Sequence, residues 1–205
     1  MQMSSRSCCA ILAAAVIATV SACGSSNKPA PAPESPTSAT PSARPTLTAS
    51  NIQPPSQDNR FTKTSNRPKV VYDPCTWIPD DVVSKLGYDP STRHRLSDFV
   101  AEYTFLTCQF RNSDGALNLN SGNITLEEDK QQYAGKTQDT TVNGREAIIV
   151  KKTSADDCTL DMRTKAGLLG ITVIIDTPGQ TKGLKPCDHI SEIASAIEPT
   201  IGKDN

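Results

Sequence analysis

The stretch Thr140–Lys152, TTVNGREAIIVKK, decides the fold class. Asn143-Gly144 suits a two-residue type I′ turn, whose central residues both need φ > 0. Thr140, Thr141 and Val142 precede the turn, and Ile148, Ile149 and Val150 follow it. Such side chains fit a pleated, half-buried surface, so the stretch reads as an antiparallel hairpin. The next segment, CTLDMRTKAGLLGITVIID (Cys158–Asp176), repeats the theme: a strand, a turn near Ala166-Gly167, and a β-branched strand over 168–176.

Upstream, EYTFLTCQFRN (Glu102–Asn112) alternates, which puts Leu106, Cys108 and Phe110 on one face of a strand. ALNLNSGNITLEED (Ala116–Asp129) is a further strand broken near Gly122, and EEDKQQYA (Glu127–Ala134) a short polar helix. Two helices flank these strands. Pro79 suits a first helical position and Asp80 and Asp81 complement the positive helix end, with Gly87 as the stop, giving a helix over 79–86. In KPCDHISEIASAI (Lys185–Ile197), Ile190, Ile193, Ala194 and Ile197 follow the i, i+3, i+4, i+7 pattern. The expectation is an α+β fold: an antiparallel sheet of four to five strands with N- and C-terminal helices packed on one face.

The domain so read spans 69–205 and carries 15 Lys and Arg against 20 Asp and Glu. That acidic balance argues against nucleic-acid binding, which needs a cationic face. Residues 24–68 are different: nine Pro, eight Ser and six Thr, with Leu47, Ile52 and Phe61 as isolated large apolar side chains. Such a composition buries too little surface to offset its ordering entropy, so 23–68 is expected to be a disordered tether. SPTSATPSARPTLT (Ser35–Thr48) also has the composition of an O-glycosylated tract.

At the start of the chain, Ser7–Ala22 is uncharged and largely apolar. It is shorter than the roughly 20 apolar residues of a spanning helix, and with Arg6 before it reads as an export signal over 1–22. Val20-Ser21-Ala22-Cys23 resembles the bacterial lipobox. Small residues there also serve ordinary secretory cleavage, but a cysteine followed directly by a polar tract favours lipidation of Cys23. Two or more acyl chains would anchor the chain stably, on the extracytoplasmic face of the cell membrane.

Four cysteines remain in the domain: Cys75, Cys108, Cys158 and Cys187. An even count in an exported chain implies two disulfides, with three connectivities open. We favour Cys75–Cys108 and Cys158–Cys187, since each bridge would then tie a helix start to a strand. A structural metal is disfavoured, because no C-x-x-C and no adjacent histidine pairing occurs.

The lipobox, the Pro/Ser/Thr spacer, DPC (Asp73–Cys75) before a helix ending KLG (Lys85–Gly87), TCQF (Thr107–Phe110) and PCD (Pro186–Asp188) together resemble a family of actinobacterial lipoproteins. That family includes mycobacterial Lpr/Lpp-type proteins and is classed as a domain of unknown function. The likeness covers nearly all of 70–200. It implies a location and a cysteine framework, but no activity. The cysteine order is also similar to that of the sensor domain of some mycobacterial receptor kinases, which pair neighbouring cysteines.

No catalytic constellation stands out. His94 lies in STRHRLSD (Ser91–Asp98), and His189 opens the last helix. There is no G-x-S-x-G turn and no glycine-rich phosphate loop. Acidic runs such as Asp80-Asp81 and Asp156-Asp157 read as caps and solvated turns. Arg93, His94 and Arg95 form the one basic cluster of the domain, a candidate contact for a partner or anion within an exposed loop. The reading is an envelope lipoprotein whose domain binds a protein, glycan or lipid without catalysis, needing no cofactor or metal. The alternatives are a sensory or accessory subunit of a membrane kinase or transporter, and a hydrolase with an unfamiliar site.

Overall fold

The computed structural model describes residues 47–151 and 155–205. The export signal, Cys23 and the first half of the spacer lie outside the described residues. In chain order the elements are a 3₁₀ turn at Ser50–Ile52, α1 (Arg60–Thr64), α2 (Pro74–Trp77), α3 (Asp80–Lys85), β1 (Asp89–Arg95), β2 (Phe99–Val100), β3 (Thr104–Arg111), β4 (Gly115–Gly122), α4 (Leu126–Gln132), β5 (Thr137–Val142), β6 (Arg145–Val150), β7 (Asp157–Arg163), β8 (Leu168–Ile175), α5 (Thr177–Thr181) and α6 (Ile190–Ile201).

The sheet is larger than expected. It has eight antiparallel strands in the order β1-β3-β4-β8-β7-β6-β5, with β2 also on β3, and this corrects the four to five strands read from the sequence. The additional strands run along an edge. β1, DPSTRHR, contains Pro90 and has no apolar alternation, so it reads as a loop; pairing with β3 makes it a strand. Edge strands face solvent and carry little of the hydrophobic periodicity by which strands are recognised.

Alternation on the central strands divides the core. Cys108 and Phe110 of β3, Leu117 and Leu119 of β4, Leu169, Ile171 and Val173 of β8, and Leu160 and Met162 of β7 join one cluster with Tyr72, Val83, Ile190, Ile193, Ala194 and Ile197. The second cluster is small: Leu126 of α4 packs on Ile148 and Val150 of β6, next to Tyr133. Ala147 belongs to the first cluster, and Ile148, its neighbour on a period-2 strand, to the second. The N- and C-terminal helices α3 and α6 thus share one face, while α4 covers the other. α4 starts with a capping box, Thr125 accepting from the Glu128 N–H while Glu128 accepts from the Thr125 N–H.

The hairpin forms as its sequence dictates. Asn143 and Gly144 have φ of 50° and 86°, and Val142 pairs with Arg145. It also completes α6. Pro199 lies inside that helix and has no N–H to give the Ser195 carbonyl. The Asn143 side-chain amide donates to that carbonyl instead, at 2.9 Å.

The fold also begins earlier than the boundary at 69. Ile52 is buried in the main core, and Leu47 packs against it. Asn59 caps α1 and donates to the Val100 carbonyl, while Arg67 donates to the Asn123 carbonyl and pairs with Glu128 at 2.6 Å. The expected tether over 23–68 thus gives way to folded chain by residue 47. A few well-placed anchors order a segment whose composition alone would not. Among the described residues, no helix is long and apolar enough to cross a membrane.

Candidate functional site

The two disulfides are Cys75–Cys108, joining α2 to β3, and Cys158–Cys187, joining β7 to the segment before α6. The second one shapes a cleft. Cys187 sits in the connection between α5 and α6, and the bridge holds that connection against the sheet. Lys182 pairs with Asp114 at 2.5 Å, tying the same connection to the β3–β4 turn. That turn is itself closed by Asn112, whose side-chain oxygen accepts from the N–H groups of Asp114 and Gly115, each at 2.9 Å. Gly115 is required there: a Cβ would collide with the Ile174 carbonyl oxygen across the β4–β8 ladder.

Between these parts and the end of α3 lies a cleft of about 280 Å³. Leu86, Val173, Ile175, Leu184, Pro186 and Ile193 give it apolar walls. Tyr88 lines it as well, and also a shallower depression beside Gly87, Thr92 and Arg111. Tyr88 is only 8% exposed. Among the described residues its hydroxyl has no hydrogen-bond partner, yet it is not one of the fully enclosed unpartnered atoms, so it touches solvent. Burial pushes the Tyr88 phenol up to about 12, so it stays a neutral donor at physiological pH.

Charges at the rim are mostly spent on each other. Lys85 pairs with Asp81 at 2.9 Å, and His189 Nδ1 lies 3.0 Å from Glu192 Oε2. The His189 and Glu192 side chains are 69% and 78% exposed, and no serine, threonine or cysteine joins them in the lining. The cleft can bind by shape and by donation from Tyr88, and its lining lacks the hydroxyl or thiol nucleophile of a Ser, Thr or Cys site. Among the described residues, no group of three or more His, Cys, Asp and Glu is placed to hold a metal ion.

The basic cluster lies elsewhere, on β1, and its side chains divide. Arg93 donates to the Cys75 and Ile78 carbonyls at 2.9 Å each, pairs with Asp80 at 2.7 Å and lies over the Phe110 ring. Arg95 donates to the Ile52 carbonyl at 2.6 Å and pairs with Asp73 at 2.7 Å and Asp98 at 3.2 Å. Both guanidiniums serve as internal clamps for α2, α3 and the N-terminal segment. His94 points the other way, is exposed, and has Nδ1 3.0 Å from the Thr92 carbonyl oxygen. Of the histidines singled out by sequence, only His189 lines the cleft. Tyr88, Leu86 and Leu184 were not anticipated, since they come from separate segments and share no motif.

A model of the family described as Protein of unknown function (DUF3558) matches residues 18–200, and the chain belongs to that family. No curated protein and no solved structure matches the chain.

Proposed function

We propose that this member of the DUF3558 family is a cell-envelope lipoprotein of the actinobacterial kind it resembles, held to the outer face of the membrane by acyl chains on Cys23. Its folded domain acts as a non-catalytic binding module for an envelope protein, glycan or lipid. One observation carries the reading: an apolar run closes on Val20-Ser21-Ala22-Cys23 and passes at once into a Pro/Ser/Thr tract. The peptide before the cysteine is small enough for a peptidase, the thiol is the acceptor, and the tract supplies reach. Two disulfides in the domain agree with an oxidising, extracytoplasmic compartment. The cleft beside Tyr88 supports a binding role.

The test is metabolic labelling with palmitate in an actinobacterial host. The wild-type chain takes up label and sediments with membranes, whereas Cys23→Ser takes up none and is recovered in soluble fractions. Label retained in Cys23→Ser, or a wild-type chain without acyl mass, refutes the proposal.

A further inference from the structure

We infer that the cleft beside Tyr88 takes a small, non-anionic amphipathic ligand: one aromatic ring or short acyl chain bearing a carbonyl oxygen that accepts a hydrogen bond from the Tyr88 hydroxyl. The inference rests on reading the domain as a binding module, and it narrows the ligand.

Three observations point there. The first is size. An apolar cavity of roughly 150 Å³ holds benzene. A cleft of about 280 Å³ therefore admits a ring or short chain with one polar substituent, and not a long-chain lipid. The second is the buried donor. Leu86, Ile175, Leu184 and Ile193 offer no hydrogen bond, and Lys85, Lys185 and His189 donate only from exposed positions, so Tyr88, the buried polar side chain of this lining, is the polar handle. A buried donor left unmatched is costly, and a ligand oxygen that meets it recovers that cost. The third is charge. Lys85–Asp81 and Lys182–Asp114 neutralise one another, while Glu192 beside His189 adds a negative charge. Lys185 and Asp188, three residues apart and of opposite sign, complete the rim. The mouth therefore gives an anion no advantage over a neutral molecule.

The experiment titrates isotopically labelled full chain, carrying Cys23→Ser so that acylation does not enter the readout, while amide resonances are followed. Three probes share a ring: acetophenone, with a carbonyl acceptor; ethylbenzene, without one; and benzoate, which is anionic. Acetophenone is expected to move the signals of Leu86, Tyr88, Gly115, Ile175 and Leu184. Tyr88→Phe should weaken it by roughly five- to tenfold, the worth of one neutral hydrogen bond, and leave ethylbenzene unchanged. Leu184→Trp, on the exposed wall, should block all three probes without touching the core. The inference is overturned if acetophenone moves none of these signals, if Tyr88→Phe binds it as tightly as wild type, or if benzoate binds more tightly than acetophenone. Palmitate labelling of the unaltered chain is a separate measurement, so loss of the anchor and loss of the ligand are distinguished.

Discussion

Replacing Arg95 by alanine should be among the most damaging single changes in this domain. Its guanidinium meets the Ile52 carbonyl, Asp73 and both oxygens of Asp98, the last of which also accepts from the Thr107 N–H at 2.7 Å. The Arg95, Asp73 and Asp98 side chains are 11%, 3% and 7% exposed. Removing the cation strands two carboxylates in a site that water barely reaches. Breaking a buried pair from one side costs about 3–5 kcal/mol, against 0–1 kcal/mol for an exposed pair. With a urea slope of about 2 kcal/mol/M, the unfolding midpoint should fall by about 1.5–2.5 M. The N-terminal segment should loosen too, because the Ile52 carbonyl loses its donor. Urea titrations of wild type, Arg95→Ala and Lys85→Ala make the comparison, since Lys85–Asp81 is an exposed pair whose loss should hardly register. The triple change Arg95→Met, Asp73→Asn, Asp98→Asn should recover much of the loss, as it strands no charge. The cluster is not fully satisfied: Arg95 Nε and Asp73 Oδ1 lack partners among the described residues, which leaves room for an apolar replacement to compete. If Arg95→Ala shifts the midpoint no more than Lys85→Ala does, the clamp is not what holds this corner together.

Two further outcomes are expected. Cys158→Ser with Cys187→Ser opens a loop set by a separation of 29 residues, worth about 3.5 kcal/mol in the chain-entropy model, and hydrogen exchange should accelerate most over 182–189; unchanged exchange there would show that other contacts shape the cleft. Glu128 is held down to about 2, by the Arg67 guanidinium first and the Thr125 N–H second, so its contribution to stability is present above its ordinary 4.5 and is lost as pH falls towards 2. Glu128→Gln should therefore lower the melting temperature at neutral pH and flatten its decline between about pH 4.5 and 2, and parallel curves for the two proteins would contradict this assignment.

Elements with strong local signals were legible in the sequence. The Asn143-Gly144 hairpin, the strand around Cys108, the β-branched strand after Gly167 and the amphipathic last helix all follow from backbone preference and apolar period. Neighbouring-cysteine pairing follows from tying helix starts to strands, and the structure has that pairing. β1 was missed because a polar edge strand with a proline has no period to detect. The folded N-terminal segment was missed because Ile52 is one buried side chain in a polar tract, ordered by Arg95 from 43 residues away.

The sequence alone determined the α+β class, the antiparallel hairpins and the cysteine framework, because each is written in the residues themselves. Only the tertiary structure decided that the sheet has eight strands with helices on both faces, that Arg93 and Arg95 turn inward, and that Tyr88 meets Leu184 and Ile193 around a cleft. Those facts depend on contacts between residues distant along the chain, where no local pattern shows which partner a side chain will find.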